Sequence, residues 1–164
     1  MRLDDLTDLG AKCALIAALS SICACSPAPK YRLADGVPYR YGPNTAVLHR
    51  LSRLQTDEAG AVTHAIVFIE FSDLEGGVCR GVGDAEVALV VSGRTPQSKR
   101  LNLGSASENH ASWNRAVRMY EVAFKIDPAL DATNRPVVRA DLKWSCGNRP
   151  VISDSLQLDL RSAQ

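Results

Sequence analysis

Three histidines, a set of acids and a glycine-rich turn are the groups in this 164-residue chain whose chemistry would depend on spacing. His49, His64 and His110 have the side chain of a general base or a metal ligand. None has a partner at metal-ligand spacing, and no Gly-x-Ser-x-Gly or comparable motif supplies a nucleophile for them to activate. They read as surface or edge-strand histidines. Glu70, Asp73, Glu75, Asp84 and Glu86 bracket the turn at 75–81, and carboxylate oxygens of this kind suit calcium. Their spacing does not match the Asp-x-Asp-x-Asp-Gly loop, so a solvated turn is expected, with no metal or other cofactor. Gly76, Gly77, Gly81 and Gly83 would cradle a phosphate only if a helix N-terminus followed them. Strand-forming residues follow instead, which makes the glycines a hairpin turn. The basic stretch 94–100, Arg-Thr-Pro-Gln-Ser-Lys-Arg, reads as a solvated loop of a kind that can touch anionic headgroups or a wall polymer.

The five cysteines fall into two groups. Residues 13–25 form an uncharged stretch, with Lys12 before it and Pro27, Pro29 and Lys30 after it. A helix that crosses a bilayer needs about 20 apolar residues, so this run is too short to span one but suits the core of a signal peptide. It ends in Ile22-Cys23-Ala24-Cys25. That sequence resembles the lipobox of bacterial lipoproteins: a branched apolar residue, a tolerant position, a small residue, then the cysteine that is diacylated before cleavage on its N-terminal side. The resemblance implies a signal peptide over 1–24 and a thioether-linked glyceride on Cys25. It also implies a lipid-anchored location in the cell envelope. Ser26, in place of Asp, points to the outer membrane facing the periplasm, with a secreted periplasmic form as the alternative. Asp4, Asp5 and Asp8 outnumber Arg2 and Lys12 where the family has a positive start, and a translation start near Leu9 would remove that departure. An oxidising compartment then makes Cys79 and Cys146 an expected disulfide pair, worth roughly 4 kcal/mol on the chain-entropy argument.

These groups need elements to position them. Pro27, Pro29, Pro38, Pro43, Gly36 and Gly42 make 25–43 a tether, along which Tyr31, Tyr39 and Tyr41 could rest on the domain at 44–164. Residues 64–72 are β-branched or aromatic on both faces and predict a central strand. Residues 86–92 place Val87, Leu89 and Val91 on one face. The segment 119–127 alternates Tyr120, Val122, Phe124 and Ile126 against Glu121, Lys125 and Asp127, and Asp127-Pro128 is expected to open a helical turn. Residues 136–146 alternate Val138, Ala140, Leu142, Trp144 and Cys146 against Arg139, Asp141 and Lys143. A hairpin at 147–150 leads to a last strand with Ile152, Leu156, Leu158 and Leu160 in phase. Further strands are expected at 100–104 and 46–54, although Leu48, Leu51 and Leu54 also fit a helical stripe. One short helix is expected at 105–114, with Ser105 and Glu108 as a capping box and Ala106, His110 and Trp113 on one face.

Seven or so strands at intervals of about ten residues predict a mainly β fold, an antiparallel β-sandwich that is immunoglobulin-like in the loose sense. The Trp144-Ser145-Cys146 order resembles the aromatic-x-Cys corner of immunoglobulin domains, but no Trp follows Cys79 at the distance that fold requires. A strand rich in Val, Ile and Phe, an Asp-containing turn, a second strand and a later helix ending in Trp together resemble exported bacterial proteins of uncharacterised function. No activity comes with that likeness. Apolar residues at 46% and charged residues at 23% describe an ordinary globular domain. Setting aside residues 1–24 leaves 17 basic and 15 acidic side chains, scattered rather than clustered, which argues against nucleic acid as a partner. The sequence thus leads to a non-enzymatic, lipid-anchored binding or structural module with an envelope protein or polymer as its partner. Contacts would sit in loops 73–84 and 93–99 at one end. A hydrolase of envelope polymers, using His64 or His110 with an acid, and an assembly partner in a larger envelope complex are the alternatives.

Overall fold

The structure, a computed structural model, describes residues 42–134 and 136–159. Ten strands run through them: β1 (Thr45–Leu48), β2 (Arg53–Thr56), β3 (Ala61–Ser72), β4 (Val78–Cys79), β5 (Asp84–Val91), β6 (Gln97–Asn102), β7 (Trp113–Asn114), β8 (Met119–Asp131), β9 (Val138–Ser145) and β10 (Ile152–Leu158). One helix, α1 (Ala106–Ala111), precedes β7. The strands form two antiparallel sheets, and the fold is a β-sandwich. One sheet has the order β1-β3-β8-β7, with β2 and β4 also paired to β3, and the other has the order β10-β9-β5-β6.

Alternation along each strand decides which face is buried. Tyr120, Val122, Phe124 and Ile126 of β8, Val87, Leu89 and Val91 of β5, and Val138, Ala140, Leu142 and Trp144 of β9 all enter one core, as their spacing predicts. From β3, Ala65, Val67, Ile69 and Phe71 join them. Val62 sits three positions before Ala65 and would point the opposite way in a regular strand. A register slip between Val62 and His64 returns it to the core face. Each large apolar side chain buried here contributes about 1.5–3 kcal/mol.

β3 also buries its other face. Ile66 and Phe68 point away from the main core and form a second, small cluster with Met119, against which Leu51 and Val117 pack. The central-strand reading of 64–72 is correct, and the reason is two separate clusters rather than one thick core.

The two lateral seams of the sandwich are each closed by charged side chains. On one side the Leu48 N–H, which faces away from β3, donates to Asp154 Oδ2 at 2.7 Å. On the other, Lys99 donates to the Ala123 carbonyl and lies 5.5 Å from the Phe124 ring centroid, while Arg94 donates to the Pro128 carbonyl. Lys99 and Arg100 lie on β6, and charges on an edge strand discourage pairing with another chain.

Several expectations are corrected. Segment 46–54 is two short strands joined by a turn, not one strand or a helix; Leu48 and Leu54 face the main core and Leu51 the outer cluster. β6 begins at Gln97, so most of the stretch 94–100 is strand and not loop; pairing with β5 sets its place. Strand β8 continues through Pro128 to Asp131 where a helical turn was expected. The only helical residues there, Ala132–Asn134, come after it as a 3₁₀ turn. The helix is shorter than 105–114, and it buries Asn109, while Ala106 and His110 are exposed.

Candidate functional site

Strand directions gather the 73–77 turn, the 79–83 crossover, α1 and the 147–150 turn at the end of the sandwich where Asn44 enters β1. The turns at 57–60 and 92–96 lie at the opposite end, where Arg94 meets Pro128. Loops 73–84 and 93–99 therefore do not share an end, which corrects the expectation of one contact surface built from both.

At the end where the chain enters, a polar network is buried among aromatic rings. Tyr120 Oη donates to Asn109 Oδ1 at 2.7 Å and accepts from the Gly81 N–H at 3.1 Å. Asn109 Nδ2 donates to the carbonyls of Gly81 and Leu103 at 2.9 and 2.7 Å. Arg80 approaches Asn109 Oδ1 at 3.4 Å and lies over the Trp113 ring, 5.1 Å from its centroid. Tyr120 also meets Phe71 and Trp113 edge-on, and Phe71 in turn meets Trp144, whose indole N–H donates to the Val82 carbonyl. Burial pushes the Tyr120 hydroxyl above its ordinary value, against the opposing pull of the Gly81 N–H, Arg80 and Asn109. Glycine is required twice in the crossover this network clasps. A Cβ at Gly81 would lie within 2.9 Å of Phe71 and Leu103 atoms, and one at Gly83, where φ is +86°, would lie 2.2 Å from the Ser145 carbonyl. Asn109 escaped the sequence reading, and Gly81, read there as part of a hairpin turn, lies in the crossover instead. The available signal was an inward Tyr120, whose hydroxyl must find partners when buried.

The residues singled out by sequence fall as follows. Cys25 lies outside the described residues. Cys79 and Cys146 are free thiols, so the expected disulfide is not formed. Cys79 sits on β4, opposite Phe71, and Cys146 follows β9 beside the Gly83 backbone; both thiols lie against the main core, each reduced. Burial raises both thiols; the Asp73 carboxylate adds to the rise at Cys79, and Arg149 opposes it at Cys146. Asp73 caps its own turn, its Oδ1 accepting from the N–H groups of Glu75 and Gly77, so the glycine-rich segment opens with the hairpin expected of it. Among the described residues, no three His, Cys, Asp or Glu side chains converge as a metal site would need.

The histidines are scattered. His64 Nδ1 is 3.1 Å from Thr63 Oγ1, and His110 Nε2 is 3.0 Å from the Arg115 guanidinium, both exposed. The hydrolase alternative named these two, and the groups beside them are a hydroxyl and a cation rather than an acid. Among the described residues, His49 is the one that meets a carboxylate, with Nε2 at 3.9 Å from Glu70 Oε2 and Nδ1 accepting from the Leu51 N–H at 3.2 Å. A depression of about 420 Å³ on the outer face of the second sheet is lined by Asp84, Glu86, Arg100, Lys143 and Val151, with Glu86 and Arg100 3.9 Å apart. Its charges alternate in sign across neighbouring strands, the arrangement of a solvated sheet face. No family model, no curated protein sequence and no solved structure matches this chain.

Proposed function

We propose that this chain is a bacterial lipoprotein, held in the cell envelope by acyl groups on Cys25, whose sandwich is a non-enzymatic binding or structural module. The observation that carries the proposal is the sequence Ile22-Cys23-Ala24-Cys25 at the end of a short uncharged run, followed at once by a Pro-rich stretch. A small residue at position 24 gives a peptidase access to the bond, and a thiol at position 25 is the group that can carry a thioether-linked glyceride. Two acyl chains plus an acylated amine make a stable anchor, at about 0.8 kcal/mol per buried methylene. From Cys25 to Gly42 the chain can reach about 60 Å at full extension, enough to hold the domain clear of a membrane surface.

Support for a module rather than a catalyst comes from what the polar groups already do. Asp73 caps a turn, Asp154 closes a seam, and Tyr120 and Asn109 clasp the crossover. The partner would be another envelope protein or an envelope polymer. Metabolic labelling with a fatty-acid probe tests the anchor. The parent should carry label and Cys25→Ala should not; label that persists in the variant would defeat the assignment.

A further inference from the structure

Three arginines far apart from any acidic partner in the fold, at 80, 115 and 118, meet at the end of the sandwich where the chain enters. Arg80 follows β4, and Arg115 and Arg118 sit in the turn between β7 and β8, which the pairing of Ile69 with Tyr120 places at that end. Contacts with β4, β7 and α1 pin them. Arg118 donates to the Val78 carbonyl at 3.3 Å, Arg80 lies 5.1 Å from the Trp113 ring centroid, and Arg115 Nη2 is 3.0 Å from His110 Nε2. Val78 and Arg80 are two residues apart, as are Trp113 and Arg115, a spacing of roughly 7 Å along an extended chain. A short stretch of surface therefore carries three positive charges.

All three side chains belong to exposed residues. Arg100 and Arg139 stand beside carboxylates, those of Glu86 and Asp141. Among the described residues, Arg80, Arg115 and Arg118 are paired with no carboxylate and meet a carbonyl, an amide oxygen, an aromatic face and an imidazole instead. The acids that share this end are Asp73, Glu75, Asp84 and Glu108. Asp73 accepts from N–H groups of its own turn, Glu108 accepts from the Asn102 N–H, and Asp84 lines the outer face of the second sheet. Glu75, exposed in the 73–77 turn, opposes an anionic partner and keeps the contact weak. Arg118 takes a φ of +57°, alone among the described residues other than glycine. Glycine would adopt that conformation freely, and a long cation stands there in its place. Leu74, in the turn that leads into β4, is 50% exposed.

We propose that Arg80, Arg115 and Arg118, with Leu74 from the turn before β4, dock this end of the domain onto the phosphate headgroups of an anionic membrane. A guanidinium matches phosphate oxygens with paired hydrogen bonds, and an exposed leucine on the same end can enter the headgroup layer. The choice of a bilayer rests on the anchor proposed at Cys25. The chain joins the sandwich at this end, where Arg149 donates to the Pro43 carbonyl and the Asn44 N–H to the Ser72 carbonyl. Lipid on Cys25 would thus draw the arginine face towards the surface, at an effective concentration that lets a weak contact orient the domain. The basic stretch 94–100 does not join this face, since Arg94 and Lys99 are engaged with the carbonyls of Pro128 and Ala123.

Sedimentation with vesicles tests the face on full-length chain carrying Cys25→Ser, which has no lipid of its own. One set of vesicles is phosphatidylcholine, and the other is phosphatidylcholine and phosphatidylglycerol in equal parts. The quantity read is the gain in affinity from the neutral to the anionic set, to which residues 1–24 contribute equally in every variant. An arginine at an anionic surface strengthens binding about fivefold, so Arg80→Gln, Arg115→Gln and Arg118→Gly combined should lower the gain about a hundredfold. Arg100→Gln, Lys125→Gln and Lys143→Gln combined remove as much charge elsewhere and should keep most of it. Arg115→Gln with Arg118→Gly spares the Arg80 contacts to Trp113 and Asn109; it should lower the gain about twentyfold with the melting temperature unchanged. Equal losses in the two charge-matched sets, or a parent that gains nothing on anionic vesicles, would overturn the proposal. So would polyphosphate in solution bound as tightly as the anionic vesicles. Fatty-acid labelling reads the anchor separately, because no lipid on Cys25 takes part in the sedimentation.

Discussion

Asp154 reaches from β10 of one sheet to the backbone N–H of Leu48 on β1 of the other, 2.7 Å away and 106 residues apart in the chain. A carboxylate in phase with Ile152, Leu156 and Leu158 stands on the core-facing side of its strand, where its charge is tolerated because an edge N–H is waiting for it. Asp154→Ala should leave that N–H without an acceptor and lower the stability of the domain by about 1.5–3 kcal/mol in urea unfolding. Asp154→Asn keeps an acceptor oxygen and should lose less. Equal losses in the two variants would show that the hydrogen bond is not what holds this seam.

Tyr120→Phe removes the acceptor of the Gly81 N–H and the donor to Asn109 together. A loss of about 1–3 kcal/mol is expected, because the buried Gly81 N–H is left without its acceptor and Asn109 Oδ1 keeps only the 3.4 Å approach of Arg80. The pH dependence has a defined sign. The folded state raises the Tyr120 hydroxyl, so its contribution is fully present below the ordinary tyrosine range and is lost as pH rises above about 10. The Phe variant should lack that alkaline component; a parent protein whose stability passes through this range as the variant's does would contradict the buried phenol.

Gly83 takes a φ of +86°, and a Cβ there would meet the Ser145 carbonyl at 2.2 Å. Gly83→Ala combines backbone strain with a backbone collision and should cost about 2–5 kcal/mol. At Gly93, where φ is +75°, nothing lies within 4 Å of the added carbon, so Gly93→Ala carries the strain alone and should cost less. Matched thermal melts of the two variants check the order.

The thiols offer a test of the corrected disulfide. Mature protein unfolded without reductant should yield two reactive thiols, Cys79 and Cys146, and reductant should not change its melting temperature. In the folded protein Cys146, 5% exposed and raised by burial, should react slowly and only towards alkaline pH, where thiolate forms. A melting temperature that drops on adding reductant would restore the bridge.

The strands most legible in the sequence were those whose alternation maps directly onto burial: β5, β8 up to Ile126, and β9. There the spacing of Val87 and Leu89, or of Tyr120, Val122 and Phe124, records which face meets the core. β6 carries no such record, because Gln97, Ser98, Lys99 and Arg100 are all exposed and only pairing with β5 places them. Leu48, Leu51 and Leu54 mislead for a different reason. Their spacing of three fits a helix, yet two of them serve the main core and one the outer cluster, on opposite faces of one sheet. Pro128 reads as a helix start from its neighbours alone, while β3 captures Leu130 and Asp131 from beyond it.

The candidate site was less legible than the fold. A polar Asn109 in a six-residue helix gives no local sign that carbonyls of Gly81 and Leu103 will close on it. The approach of His49 to Glu70 depends on a turn whose existence the leucine spacing concealed. Cys79 and Cys146 were paired by compartment and count, and neither quantity fixes how two thiols on one core will be oriented.

Mass spectrometry of the N-terminal peptide from protein isolated with its native membranes tests the proposed anchor most directly. The account requires a chain that begins at residue 25, with the mass of a diacylglyceryl group and an amide-linked acyl chain on that cysteine. A mature chain that retains residues ahead of Cys25, or begins at an unmodified cysteine, would contradict it.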